Sequence, residues 1–257
     1  MYTPSEHTME GRGRSFSSIK KAAPELTPAQ KALMKVFHDH EFFPSVPWSV
    51  RAVLEEVLLK RYGADFLFHD PCAGQGHLGY TMRKMGLQTY MSDLYDYGMG
   101  HDIADAFEFE GRAGISRNFM ITNPPFSGED YNTSKPTAAE RIVMRALESC
   151  QHVVIMCRLS FLVSQRRHRL IYDNPLGNLR TFMPHFERVP MVLGRYNPKA
   201  KSATSYAYYH FERGYTGRFE TIDLAPGMRA KYEQPADRFL AVNDILDLPD
   251  VAAFMAA

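Results

Sequence analysis

Asp70-Pro71-Cys72-Ala73-Gly74-Gln75-Gly76-His77-Leu78-Gly79 is the stretch whose reading decides the fold. A short apolar run, Phe66–His69, leads into it, and a helical pattern around Leu78–Lys84 leaves it and stops at Gly86. A strand that passes through a glycine turn into a helix opens a parallel α/β unit. The glycines permit backbone angles closed to other residues and a close backbone approach to a ligand, and the helix start adds unpaired N–H groups.

Outward from this turn the rhythm repeats. Gln88–Met91, Asn118–Thr122 and His152–Cys157 read as further strands, and Thr137–Ser149 as a helix with Ile142, Val143, Ala146 and Leu147 on one side. The expected fold class is α/β, with a mostly parallel sheet between helices. Upstream, Thr27-Pro28 predicts a helix start. Val50, Val53, Leu54, Val57 and Leu58 then recur at helical spacing until Gly63. Downstream, Arg188–Leu193 and Tyr206–Phe211 predict a C-terminal β-hairpin at the sheet edge. The expected division is a polar arm over 1–24, one catalytic-size domain over 25–225 and an extension over 226–257 ending in a docked amphipathic helix.

Bulk properties narrow the field. The chain of 257 residues is 45% hydrophobic and 23% charged, with a formal net charge of +1, so any contact with a polyanion must come from a local patch. Three cysteines, Cys72, Cys150 and Cys157, form neither a disulfide framework nor a zinc pattern. No apolar run is long enough to span a bilayer, and the first residues lack the apolar core of a signal peptide. The expectation is a cytoplasmic protein without a membrane partner.

The glycine turn alone leaves the ligand open. Gly74, Gly76 and Gly79 satisfy GxGxxG, and Asp93, after the second strand, stands about 20 residues on, where an acid would hold ribose hydroxyls. A dinucleotide and S-adenosylmethionine (SAM) both fit, and a purely structural turn is the third reading. The leading Asp70 favours SAM, because a carboxylate at a strand tip suits a cationic amino-acid end and repels a diphosphate.

The third strand runs into Asn123-Pro124-Pro125-Phe126. Each proline fixes φ and lacks an N–H, and each residue before a proline is held extended. The side-chain oxygen of Asn123 and the carbonyl of Pro124 can therefore converge as two fixed acceptors on one NH₂ group. A planar ring amine is a poor nucleophile; two such acceptors favour its pyramidal form and stabilise the positive charge that grows during attack. Phe126 offers a face on which a base can stack. A rigid turn leaving a strand is the plainer alternative for an isolated Asn-Pro-Pro-Phe.

Taken together these residues resemble the amino-methyltransferases of DNA. DPCAGQG resembles their SAM-binding turn, Asp93-Leu94 their ribose-binding acid and its neighbour, and NPPF their catalytic tetrapeptide. Phe43-Pro44-Ser45-Val46-Pro47-Trp48 resembles the Tyr-x-Thr-Pro segment packed over SAM, with Ser45 where Thr is usual and the proline displaced. Asp102-Ile103 resembles the acid-containing pair near the SAM adenine. Cys157–Leu162 and 203–212 resemble the downstream strands of small phage and prophage members. The resemblance spans about residues 42–213, and its order is that of the N6-adenine type. It implies a Rossmann-like, SAM-dependent fold of seven strands with the last pair antiparallel, and methyl transfer to N6 of adenine in DNA. N4 of cytosine, RNA adenine, a protein glutamine amide, or a silent DNA-binding module are the alternatives. Little chain is left for a target-recognition domain.

Weaker candidates complete the reading. Ser127–Pro136 reads as a lid or a surface loop. Arg166, Arg167 and Arg169, with Lys199 and Lys201, are candidate phosphate contacts or a solvated face. His38–Glu41 carry metal-capable side chains, but no metal is expected. Cys72 reads as a small packing residue. Tyr206, Tyr208 and Tyr209 read as core, with one of them able to line a base pocket.

Overall fold

The structure, a computed structural model, describes residues 27–112, 117–126, 136–197, 199–200 and 202–237. The expected arm over 1–24, residues 127–135 of the expected lid, Lys201 and the expected terminal helix lie outside the described residues.

Helix α1, Pro28–Asp39, begins as its sequence dictates: Thr27 and Gln30 form a reciprocal capping box and Pro28 occupies the first turn. Helix α2, Pro47–Val53, passes through a π turn, Leu54–Leu58, into α3, Leu59–Tyr62. Gly63 ends this run at φ 76°. The helical spacing reads as one helix, and the wider turn at its centre leaves no mark on it.

The strands are β1 (Leu67–Asp70), β2 (Thr89–Asp93), β3 (Asp102–Ile103), β4 (Asn118–Thr122), β5 (His152–Arg158), β6 (Leu179–Pro184), β7 (Met191–Val192), β8 (Arg195–Tyr196), β9 (Tyr206–Glu212) and β10 (Glu220–Thr221). Eight of them form one sheet in the order β10-β6-β9-β5-β4-β1-β2-β3. Every pairing is parallel except those of β9 with β5 and with β6. This is the Rossmann-like sheet that the resemblance implies, with the two-residue β10 added as an eighth strand.

The expected hairpin needs correction. Besides β5, the antiparallel partner of β9 is β6, not Arg188–Leu193. Residues 191–192 and 195–196 instead form a separate ladder, β7-β8. β6 escapes notice in the sequence because Arg180 and the strand-breaking Pro184 interrupt its apolar pattern; Pro184 is tolerated as the last residue of the strand.

Helix α4, His77–Lys84, connects β1 to β2, and α5, Ala138–Leu147, connects β4 to β5. The two connections leave the centre of the sheet in opposite directions. Right-handed crossovers then place α4 and α5 on opposite faces, and a crevice opens between the carboxyl ends of β1 and β4, the switch point of an open α/β sheet. Alternation along β5 and β9 fills both faces: His152 and Val154 share one with His210, while Val153 and Ile155 share the other with Phe211 and Tyr209. Tyr62 of α3 packs on the first face, its ring 4.1 Å from that of His152.

A second, smaller cluster stands apart from this core. Leu33 and Phe37 of α1 pack with Phe42 and Tyr97, which fastens α1 to the loop after β2. On another side, α6 (His168–Tyr172) packs against β6, and α7 (Met228–Tyr232) packs against α2. The buried pair Arg51–Asp237 and a bond from Arg51 Nε to the Tyr232 carbonyl, 2.8 Å, hold that end in place.

Candidate active site

The glycine turn and the Asn-Pro-Pro-Phe tetrapeptide meet across the switch point, where they wall a cleft of about 250 Å³. Its floor is Pro71 to Gly74, with Cys72 and Ala73 among them. Asn123 and Pro125 form one side, and Asp93 with the exposed Leu94 the other. The segment between α1 and α2 closes the top through Phe43, Pro44 and Ser45.

The turn owes its shape to its glycines. Gly74 and Gly76 have φ of 53° and 83°, in the region that favours glycine. A Cβ on Gly74 would lie 2.5 Å from the Phe42 ring, and one on Gly79 would lie 2.1 Å from the Met91 sulfur. The first lets Phe42 cover the turn; the second lets α4 sit closely on β2. Asp93 then ties the turn to β2: its carboxylate accepts the Gly74 N–H at 2.7 Å and the Tyr95 N–H at 3.0 Å. A carboxylate has about four acceptor positions, so capacity remains toward the cleft. Burial pushes the Asp93 pKa up, and the two backbone donors oppose that shift.

Asn123 is held by one end only. Its Nδ2 donates to the Phe43 carbonyl at 2.8 Å, which fixes the orientation of the amide. Its Oδ1 is buried with no hydrogen-bond partner, a state that costs about 1–3 kcal/mol until a donor arrives. Pro124 is buried beside it. Phe126 does not present an open face: its ring is 6% exposed and packs near Phe43, Tyr206 and the Arg158 guanidinium, at 6.1, 6.2 and 5.3 Å.

Asp70, expected to meet the cationic end of the cofactor, instead lies behind the cleft wall, 1% exposed, where burial removes it from any ligand in the cleft. Its Oδ1 accepts the Thr122 hydroxyl at 2.7 Å, while Oδ2 is buried without a partner. Burial raises its pKa to about 7, against the pull of the Thr122 hydroxyl. Tyr208 and Tyr209 are both fully buried core residues.

Two expected placements need correction. Asp102 and Ile103 lie on the exposed edge strand β3, where Asp102 accepts the Tyr90 hydroxyl, and neither lines the cleft. Asp105, Ala106 and Phe107 line it instead. Asp105 caps the 3-10 turn Ala106–Glu108 by accepting the Phe107 N–H at 2.8 Å, which turns the chain into the cleft just beyond the edge strand. Arg167 is not a surface cation: it is 2% exposed and donates to the carbonyls of Phe161 and Ser160 at 2.7 and 3.2 Å. Arg166 pairs with Glu140 at 2.9 Å, whereas Arg169 and Lys199 are exposed.

Part of the cleft has no counterpart in the sequence reading. Asp39, His40, Glu41 and Phe42 line it, and Glu41 is the one non-glycine among the described residues with positive φ, 50°. A strained residue at a ligand cleft is a recurrent feature of functional sites, but sequence carries no sign of it. At the amino end of the sheet, away from the cleft, His152, His210 and Glu212 bring potential ligand atoms within 4.8 Å of one another. There the two imidazoles are 3.2 Å apart, and burial lowers both their pKa values.

No protein-family model matches the chain, and no curated protein matches it. Several solved structures are similar to it. One is a proposed RNA methyltransferase from Pyrococcus horikoshii, with 16% identity over 73% of this chain and 99% of that one, at a TM-score of 0.48. Another is the magnesium protoporphyrin IX methyltransferase of Synechocystis PCC 6803 with bound SAM, with 10% identity over 75% and 87% of the two chains and a TM-score of 0.44. A third is a TehB-like SAM-dependent methyltransferase from Corynebacterium glutamicum, with 11% identity over 73% and 100% and a TM-score of 0.40. All three are methyltransferases by name, and likeness at this level says nothing about the acceptor.

Proposed function

We propose that the chain is a SAM-dependent amino-methyltransferase whose acceptor is N6 of adenine in DNA. The observation that carries this reading is the buried, unpartnered Oδ1 of Asn123, a residue that lines a cleft whose other walls are a glycine turn and Asp93. That oxygen needs a donor, and a planar NH₂ is the donor of matching shape.

The cleft also separates the two cofactor readings left open by the glycine turn. Asp39, Glu41, Asp93 and Asp105 line it, and among the described residues no Lys or Arg does. Such a lining attracts a ligand with a sulfonium and an ammonium, and repels a pyrophosphate. Asp93 has acceptor capacity for ribose hydroxyls, and Leu94 and Phe107 offer apolar surface for a purine.

SAM, when bound, supplies a methyl group on a positively charged sulfur. The residues do the rest by position. Asn123 Oδ1, with the adjacent Pro124 carbonyl, takes the two hydrogens of the acceptor amine and orients its lone pair toward the methyl group. As positive charge grows on nitrogen, these fixed oxygens stabilise it at no cost of reorganisation. The methylated nitrogen sheds its extra proton readily, so no strong base is required. Phe126 stiffens the end of the tetrapeptide through Phe43 and Tyr206; stacking on a base requires its ring to turn outward. The acceptor base reaches the cleft by leaving its duplex, at a cost of a few kcal/mol.

Radiolabelled methyl transfer measured in parallel on DNA, RNA and protein tests the reading. Label in DNA recovered as N6-methyladenine is the expected result. Label confined to RNA or to protein overturns the acceptor; calorimetry without SAM or S-adenosylhomocysteine binding overturns the enzyme.

A further inference from the structure

A second depression of about 520 Å³ adjoins the cleft, with Phe107 as the shared wall. Helix α5 serves both: Ala138 and Ile142 face the cleft, while Arg141, Met144 and Arg145 face the groove. Its far wall is Arg169, Leu170 and Asn174.

The buried side-chain atoms that lack a partner in this groove are all donors. Its carboxylates are engaged: Glu140 accepts Arg166 at 2.9 Å and the Thr137 N–H at 2.6 Å, and Glu148 pairs with Arg145. The Nε of Arg145 is buried without an acceptor. Asn174 is 6% exposed; its Oδ1 accepts the Leu176 N–H at 3.0 Å, and its Nδ2 has no partner. Arg141 rests on the Phe107 ring, 3.6 Å from the centroid. Arg141 and Arg169 are both exposed and make no ion pair among the described residues. Two orphaned donors and two uncommitted guanidinium groups over an apolar floor match an oxyanion with several acceptor oxygens.

We propose that this groove holds a phosphodiester segment of the DNA strand whose base enters the neighbouring cleft. The assignment rests on the proposed function for its polymer, and on the groove for its place. Arg141 and Arg169 contact the backbone as cations, and Asn174 Nδ2 with Arg145 Nε takes the non-bridging oxygens.

Binding of a fluorescently labelled duplex across a salt series tests it. Each lost phosphate contact lowers the slope of log K against log [salt] by about 0.9. Arg169→Ala should lower the slope by about that amount and leave SAM affinity at the wild-type value. Asn174→Asp keeps the Oδ1 acceptor that serves the turn and replaces the donor with a negative oxygen; duplex affinity should fall about tenfold or more. Thermal melts of both variants monitor folding. The proposal is overturned if folded variants bind with wild-type slope and affinity, if the wild-type protein binds no duplex, or if inorganic phosphate competes as well as the polymer at equal phosphate. These results are distinct from failure of the methylation reading: duplex binding that weakens as predicted without methyl transfer removes the chemistry and keeps the groove.

Discussion

The cleft and the groove lie on either side of one phenylalanine and have opposite polarity. The residues lining the cleft leave acceptors without donors: the Oδ1 of Asn123 and the open positions of Asp93. The groove carries donors without acceptors: the Nδ2 of Asn174 and the Nε of Arg145. Both are reached from the same helix, α5, by a rotation of its surface. The contrast teaches that ligand class is written in which end of each buried dipole is left unpaired, more than in cavity size or net charge. A chain with a formal charge of only +1 can still present unpaired acceptors in a cleft beside unpaired donors in a groove.

Removing the cleft's chief acceptor should have the largest effect. Asn123→Ala is expected to lower turnover by about 10²- to 10³-fold, the usual effect of deleting one fixed electrostatic stabiliser, with SAM affinity little changed. Single-turnover methyl transfer beside calorimetry separates the two quantities, and wild-type turnover would refute the role. Asp93→Asn should act on binding instead. A hydrogen bond to a charged group contributes about 1.5–3 kcal/mol, so SAM affinity should weaken by about tenfold or more; unchanged affinity would remove Asp93 from the cofactor site.

The third prediction concerns stability and not turnover or binding. Burial raises the Asp70 pKa to about 7, from the 3.8 of an unperturbed aspartate. Between those values the folded chain keeps a proton that the unfolded chain has lost. The contribution is therefore full below about pH 4 and is lost as pH rises through about 7, at up to ~1.4 kcal/mol per unit. Chemical denaturation of the ligand-free protein across that interval should show the decline. Asp70→Asn should flatten it, and an equal slope in the variant would place the titration elsewhere.

Much of this architecture is legible in the sequence, for reasons that differ by element. Strand β4 can be read with its observed limits, Asn118–Thr122, because four apolar or strand-forming residues, Phe119–Thr122, are followed after Asn123 by a double proline. The start of α5 is legible because a capping box is a local signal, and Thr137 and Glu140 form one. The failures are tertiary. β6 needs two neighbouring strands to reveal it. Arg167 looks like one cation in a basic run, yet its guanidinium turns inward to satisfy two carbonyls of a 3-10 turn. Asp102 and Asp105 are alike in sequence, and only the turn that follows β3 decides which of them enters the cleft. Phe42 and Glu41 reach the cleft because α1 is pinned to the loop after β2 by its own small cluster, a contact between segments far apart in the chain.

The sheet's two outermost strands, β3 and β10, are each two residues long. A long open strand offers a row of free backbone groups on which another molecule's strand can grow. Here either border gives an incoming chain only a couple of residues to pair with, too few to seed an intermolecular ladder. Among the described residues, the eight strands thus stand side by side with little free border at either end of the sheet.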